Sequence, residues 1–345
     1  MLYNFAALFY LLQMHHLTHA LFPDALLGKA VALQKLLPLP DLLPRHLPEL
    51  LAAAGTMAAV CAGPMFCCGI INAKSGNCRE DCRFCAQSLH YGVNAPVYPL
   101  LSRETLLRQA ENFAAAGLRF MGIVTSGACP SQRDFEQICE TGHHIRERVD
   151  IGLCASLGLL RPKQANALRQ AGFSGYHHNL ETAQSYYSSV CTTHSYKRRV
   201  QTVKNAKMAG LRVCSGGIFG LGENWTQRFE LAALLRELDV DSIPVNFLIP
   251  IPGGPFANHP LMPAWEALAV IALLRLMHPG RDIICCGGRT QVLHQCEALL
   301  FSAGANGLMT GNYLTTEGKS FQRDKALLEA LGIQGLIKEK PDYRF

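Results

Sequence analysis

From about Phe66 onward the chain alternates short β-rich runs with amphipathic stretches of helical length. That alternation is the pattern of repeated βα units around a parallel sheet. The strand candidates are Phe66–Ala73, Arg119–Thr125, Asp150–Ser156, Ser174–Leu180, Leu211–Ile218, Asp241–Ile249, Arg281–Cys286 and Ala305–Gly311. Between them lie helix candidates at Ser102–Ala116, Pro162–Ala171, Tyr196–Ala209, Trp225–Leu238, Pro263–Met277 and Gln291–Ala303, several ending in the Ala-Gly pair of a helix C-cap. Eight such units predict an α/β fold, a (β/α)8 TIM-type barrel over residues 61–325. The preceding stretch, residues 1–60, is Leu- and Ala-rich and punctuated by Pro38, Pro40, Pro44 and Pro48, which predicts helices packed under or beside the barrel; residues 326–345 form a C-terminal tail.

Composition narrows the class. Charged residues are 17% and hydrophobic residues 49%, so the chain is globular rather than disordered. The net charge of +6 is spread thinly, with no Lys/Arg run to engage nucleic acid or a membrane surface, and the expected partner is a small neutral or anionic substrate. The apolar stretch Leu2–Met14 lacks a basic leader, is interrupted by His15, His16 and His19, and falls short of the roughly 20 residues of a membrane span. It reads as a packed helix of a cytoplasmic protein. In a reducing compartment the fourteen cysteines are candidate metal ligands or buried core residues rather than a disulfide framework.

Three of them stand in one loop directly after the first strand candidate, Cys78-x3-Cys82-x2-Cys85. Three thiolates within eight residues can wrap one iron–sulfur cluster and leave an iron open to another donor. Gly76 and Phe84 suit a tight loop with one apolar face. A structural zinc loop is the alternative, but zinc prefers four N/S ligands in paired C-x2-C spacings, and no second pair exists. Cys129, Cys139, Cys191 and Cys296 lie in expected loops or on outer helix faces, and the simplest role for each is a small buried hydrophobe. Of His177 and His178, one must face inward, as pocket wall or catalytic group.

The Cys78–Cys85 triplet resembles the cluster loop of the radical S-adenosylmethionine (SAM) superfamily. Further segments narrow the likeness to the biotin synthase family: Tyr176–Thr182, Val213–Glu223, Ser242–Asn246, Gly287-Gly288-Arg289 and Ala303–Asn306. The resemblance covers residues from about 66 to 320. It implies a [4Fe-4S] cluster on Cys78, Cys82 and Cys85 that binds and reductively cleaves SAM, and a radical that takes hydrogen from dethiobiotin. It also implies that Glu181 holds the SAM ribose, that Asn179 touches SAM and substrate, that Arg199 pairs with the SAM carboxylate, and that Asn246 meets the ureido ring. From the residues alone, Asn179 and Glu181 could instead cap a helix, Arg199 could be solvated, and Asn246 could be a satisfied buried amide. A flavodoxin- or ferredoxin-type reductant and a homodimer are implied as well. A hydrogenase-maturase or methylornithine-synthase relative, and a non-enzymatic iron–sulfur carrier, are the competing readings.

The family's second cluster draws on cysteines of strands two, three and five and an arginine of strand seven. Here Cys154 and Cys214 keep the strand-three and strand-five positions, whereas Met121 and Ile284 stand at the other two, and Arg289 matches a different arginine of the family. Cys68 on strand one and Cys286 on strand seven are additional inward thiols by alternation, Cys285 being the substitute if a bulge shifts the facing. Gly307 removes side-chain volume from the same interior. The expectation is an auxiliary four-iron cluster on Cys68, Cys154, Cys214 and Cys286 that donates sulfur.

Overall fold

On β1 (Phe66–Lys74) Phe66, Cys68 and Ile70 face a central cavity, while Cys67 is buried on the opposite face, as a pleated strand requires. The computed structural model that shows this describes residues 21–316 and 318–333. β2 (Phe120–Thr125) turns Phe120, Gly122 and Val124 inward and Met121 and Ile123 toward the surrounding helices. β3 (Gly152–Ser156), β4 (Gly175–His177), β5 in two pieces (Arg212–Cys214 and Gly217–Phe219), β6 (Ser242–Phe247), β7 (Asp282–Cys285) and β8 (Gly307–Met309) follow.

Each strand pairs in parallel with the next, and β8 returns to β1 through Met309 opposite Cys68. Both pieces of β5 pair with β6, at Cys214 opposite Ser242 and at Gly217 opposite Val245, so the sheet closes into an eight-stranded (β/α)8 barrel. The expected β5 candidate is interrupted at Ser215-Gly216. A Cβ on Gly216 would lie 2.0 Å from the Pro244 carbonyl oxygen, so β6 approaches the break more closely than a side chain allows. The expected β4 is likewise shorter, because the chain beyond His177 leaves the sheet to bond this break: the Leu180 N–H donates to the Gly216 carbonyl (2.9 Å) and the Ile218 N–H to that of Glu181 (2.8 Å).

The helices form the outer layer: α1 (Leu47–Cys61), α2 (Arg103–Ala115), α3 (Gln132–Arg148), α4 (Pro162–Gln170), α5 (Tyr196–Met208), α6 (Trp225–Glu237), α7 (Ala264–Met277) and α8 (Phe321–Ala330). The glycines of the Ala-Gly pairs end their helices in the left-handed conformation, Gly117 at φ 83° and Gly210 at φ 75°. α3 is absent from the sequence candidates, although Ser131 caps it and Phe135, Ile138 and Ile145 supply a buried stripe. The Gln291–Ala303 candidate is broken into Arg289–Leu293, a 3₁₀ turn His294–Ala298 and Leu299–Ser302. His294 there adopts φ 47°, and Glu297 is drawn to Arg289 and Lys319. α1 packs against α7 and lies beside the barrel, while the Leu2–Met14 helix falls outside the described residues. Residue 326 lies within α8 rather than at an element boundary. Among the described residues no helix is long and apolar enough to cross a membrane.

Candidate active site

A cavity of about 440 Å³ opens at the C-terminal ends of the strands, where barrel active sites are built. The β1–α2 loop covers it. Gly76 (φ 77°) and Asn77 (φ 53°) turn the chain sharply after β1, and the Gln87 side chain accepts bonds from the Gly76 N–H and the Ser75 hydroxyl, both at 3.0 Å. The Cys78 N–H donates to the Gln87 carbonyl (3.0 Å) and the Leu89 N–H to that of Cys78 (2.8 Å). Cys78, Cys82 and Cys85 all line the cavity. Phe84 lines it too, packing against Val190 and Leu248. Burial pushes the Cys85 thiol up to about 11, so in the absence of a metal it keeps its proton.

Across from this loop the end of β4 presents Asn179 and Glu181. Glu181 sits at φ 71°, an unfavourable conformation for a non-glycine residue that is held by the bonds to Gly216 and Ile218. Arg199, buried on α5, reaches the same point: its Nη1 donates to the Asn179 carbonyl at 2.6 Å and lies 3.2 Å from Glu181 Oε1, and its Nε donates to the Tyr187 hydroxyl at 2.9 Å. Burial outweighs the neighbouring Arg199 charge, and Glu181 titrates above its usual range. Its Oε2 is buried without a hydrogen-bond partner. Such an orphan acceptor in a cavity wall fits a sugar hydroxyl, as the charged Arg199 fork fits a carboxylate. His177 and His178 both border the cavity, and burial lowers both, His177 to about 4; the pair therefore forms a neutral wall at neutral pH. Asn246 on β6 faces in with its amide already oriented, Nδ2 donating to the Gly217 carbonyl (3.2 Å) and Oδ1 accepting from the Gly287 N–H (3.1 Å).

Deeper in the barrel the cavity wall carries Cys68, Cys154, Cys214 and Cys286. Phe66, Phe120, Ile284 and Met309 pack around Cys68, Cys214 and Cys286. Cys154 is paired in register with Gly122 on one side and Gly175 on the other, so no neighbouring side chain covers it within the sheet. Burial and the mutual proximity of the thiols raise Cys68, Cys154 and Cys286, and burial raises Cys214 to about 11. Among the described residues no three of these sulfurs lie within 4.8 Å of one another, a spacing too wide for one ion and compatible with a polynuclear cluster.

The structure also corrects several expectations. Met121 points away from the cavity, and the inward β2 position beside Cys68 is Phe120; both positions lack a thiol. The volume expected from Gly307 is filled, since a Cβ there would meet Ile284 Cγ1 at 3.0 Å and the Phe66 ring at 3.1 Å. Cys285 faces the outer layer near Arg289 and Glu297, and the regular β6–β7 register leaves Cys286 as the inward thiol. Arg289 is buried between Glu297 and Asp324, outside the cavity. Cys129 and Cys296 are exposed, not small core residues. Cys191 is buried but polar in its surroundings: its sulfur lies 3.7 Å from that of Cys82, and the contact raises the Cys82 thiol while lowering Cys191. Sequence reasoning also passed over Arg212, which stands beside Cys154 and Cys214 in the cavity wall and donates to Asp282 at 3.3 Å. Its position two residues before Cys214 was the available signal.

Comparison with known proteins agrees with this architecture. Residues 73–235 match the radical SAM superfamily and residues 244–334 the biotin and thiamin synthesis associated domain. Among solved structures, methylornithine synthase superposes with a TM-score of 0.79 over 94% of this chain and 98% of its own at 21% identity. The FeFe-hydrogenase maturase from Carboxydothermus hydrogenoformans does so with 0.76 over 91% and 78% at 17% identity. Likeness at those identities speaks to the fold alone. A biotin synthase of Nitratidesulfovibrio vulgaris (strain DP4) is 50% identical over 90% of this chain and 87% of its own, and that of Geobacter sulfurreducens is 51% identical over 77% and 81%. With half of its residues shared with biotin synthases along nine-tenths of its length, the chain belongs to the biotin synthase family of radical SAM enzymes.

Proposed function

We propose that this enzyme draws the sulfur it inserts into dethiobiotin from an auxiliary four-iron cluster held by Cys68, Cys154, Cys214 and Cys286. The observation that carries the reading is the convergence of four inward thiols, from β1, β3, β5 and the end of β7, on one cavity beneath the Cys78–Cys85 loop. The donor set fits an iron–sulfur cluster, being all sulfur, set in the wall of an interior cavity and too widely spaced for a single ion.

Cys78, Cys82 and Cys85 would hold the upper cluster, which when bound would supply reductive cleavage of SAM and so the radical chemistry that takes hydrogen from dethiobiotin. The protein's part is orientation and exclusion of water. Glu181 Oε2 would accept from the ribose, and the Arg199 guanidinium would pair with the SAM carboxylate. Asn179, whose Oδ1 accepts from the Gly216 N–H at 3.2 Å, would stand between cofactor and substrate. Asn246 would use its remaining N–H and lone pair on the ureido group. A flavodoxin- or ferredoxin-type reductant, a homodimer and a cytoplasmic setting complete the proposal.

The test is anaerobic reconstitution with iron, sulfide, SAM, reductant and dethiobiotin. Biotin formed together with 5′-deoxyadenosine, with Cys68→Ser and Cys286→Ser retaining 5′-deoxyadenosine but losing biotin, is the expected result. Biotin yield unchanged in both variants would contradict the assignment.

A further inference from the structure

The segment that follows the β4 end is docked onto the cluster loop. Asp81 accepts bonds from the Thr192 N–H (2.8 Å), the Thr193 N–H (3.1 Å) and the Thr193 hydroxyl (3.0 Å), and the Arg83 N–H donates to the Val190 carbonyl (3.0 Å). This docking brings Cys191 and His194 against Cys82. Among the described residues these three form the one group of His, Cys, Asp or Glu side chains whose ligand atoms all lie within 4.8 Å of one another, and all three are buried.

The sulfur–sulfur distance suits a tetrahedral site. Zinc–thiolate bonds of about 2.3 Å place two sulfurs of a tetrahedron about 3.8 Å apart, and Cys82 and Cys191 are 3.7 Å apart. His194 Nδ1 lies 3.4 Å and Nε2 4.0 Å from the Cys191 sulfur; Nδ1 is also 2.5 Å from Glu80 Oε2, and that bond leaves Nε2 as the nitrogen free to take an ion. A carboxylate on the other ring nitrogen is the usual way in which a metal-ligating imidazole is oriented and made more basic.

We propose that the cluster-free protein binds one thiophilic divalent ion, of the zinc class, on Cys82, Cys191 and His194. Because Cys82 is shared, a bound ion withholds one thiolate from the SAM cluster and so opposes its assembly. The ion site rests on its own three residues; only the competition rests on the assignment of Cys82 to the SAM cluster.

Full-length protein, stripped of metal and kept reduced under anaerobic conditions, is titrated with Co2+ and then with Zn2+. One equivalent of Co2+ should give the intense d–d bands of a tetrahedral thiolate site and be displaced by Zn2+. The bands should vanish in Cys82→Ala and Cys191→Ser, weaken about tenfold or more in affinity in His194→Gln and Glu80→Gln, and persist in Cys78→Ala, Cys85→Ala and Cys68→Ser. Bands that survive Cys191→Ser, that form with undiminished affinity in His194→Gln, or that are lost in Cys78→Ala overturn the site. In a second arm, one equivalent of Zn2+ added before iron and sulfide should slow cluster reconstitution, followed by absorbance, in the wild type and not in Cys191→Ser. Equal rates with and without Zn2+ in a wild type that passes the cobalt test overturn the competition while the ion site stands.

Discussion

Asn246 spans Gly217 on β5 and Gly287 beyond β7 through one side-chain amide, so its truncation acts at two distances. With Asn246 on the ureido group as proposed, its truncation would leave the ring's polar atoms unpaired at a cost of about 1–3 kcal/mol, roughly 5- to 150-fold in dethiobiotin affinity. Isothermal titration of Asn246→Ala should show that loss while uncoupled 5′-deoxyadenosine formation with SAM continues. A matching loss of SAM affinity would move Asn246 to the cofactor. A second residue governs stability rather than binding. His278, the C-cap of α7, is buried with Nε2 on the Ala232 carbonyl at 3.1 Å, and burial lowers it from 6.5 to about 4. The folded state therefore holds this imidazole neutral, and its contribution is complete above the unfolded value near 6.5. As pH falls from there to about 4, the unfolded chain takes up a proton that the folded chain refuses, with a loss of up to roughly 3 kcal/mol. Chemical denaturation at pH 7 and pH 5 should show a smaller drop for His278→Gln than for the wild type; equal drops would assign the acid sensitivity elsewhere.

The elements of the site depend on glycines that the sequence marks but does not explain. Gly216→Ala would force a Cβ to within 2.0 Å of the Pro244 carbonyl oxygen, so β5 and β6 must separate. The expected outcome is a destabilisation of about 3 kcal/mol or more and loss of SAM binding, because the Asn179–Glu181 turn hangs on Gly216. A thermal unfolding curve within a degree of the wild type would show that the strand break is tolerant. Gly175→Ala carries a different expectation. Its Cβ would lie 2.6 Å from the Cys154 sulfur, so the thiol must rotate away, and the purified protein should lose auxiliary-cluster iron while keeping SAM cleavage. Retention of all its iron would argue against Cys154 as a ligand. The β5 break shows where reading the chain stops short: a Gly-Gly pair suggests a kink, but only the approach of β6, distant in sequence, says that the strand splits there. The same holds for Phe120 and Met121, which stand next to each other in an apolar run, since no local signal tells which of two neighbours faces a barrel interior. The helix α3 was legible in its cap and stripe and needed no tertiary information.

At the scale of the whole molecule, the eightfold βα alternation and the Cys78–Cys85 spacing carried both the barrel and the mouth of its cavity, because both are patterns of local period. Contacts that join distant segments did not show in that pattern: Cys191 meets Cys82 across 109 positions, and Arg289 meets Asp324 across 35. Arg289 lies fully buried between Glu297 and Asp324 and ties α8 to the barrel wall. Arg289→Leu would strand the Asp324 carboxylate in the interior, while Glu297 keeps Lys319, and should cost about 3–5 kcal/mol in urea denaturation; a change below about 1 kcal/mol would show that α8 docks without it. The same closed wall holds four thiols from four strands in one cavity, and the account rests on their acting together. The most direct measurement is Mössbauer spectroscopy with iron analysis on protein lacking Cys78, Cys82 and Cys85. The account predicts a residual four-iron cluster that is lost in Cys68→Ser and Cys286→Ser. A two-iron signature, or a cluster indifferent to those two substitutions, would contradict it.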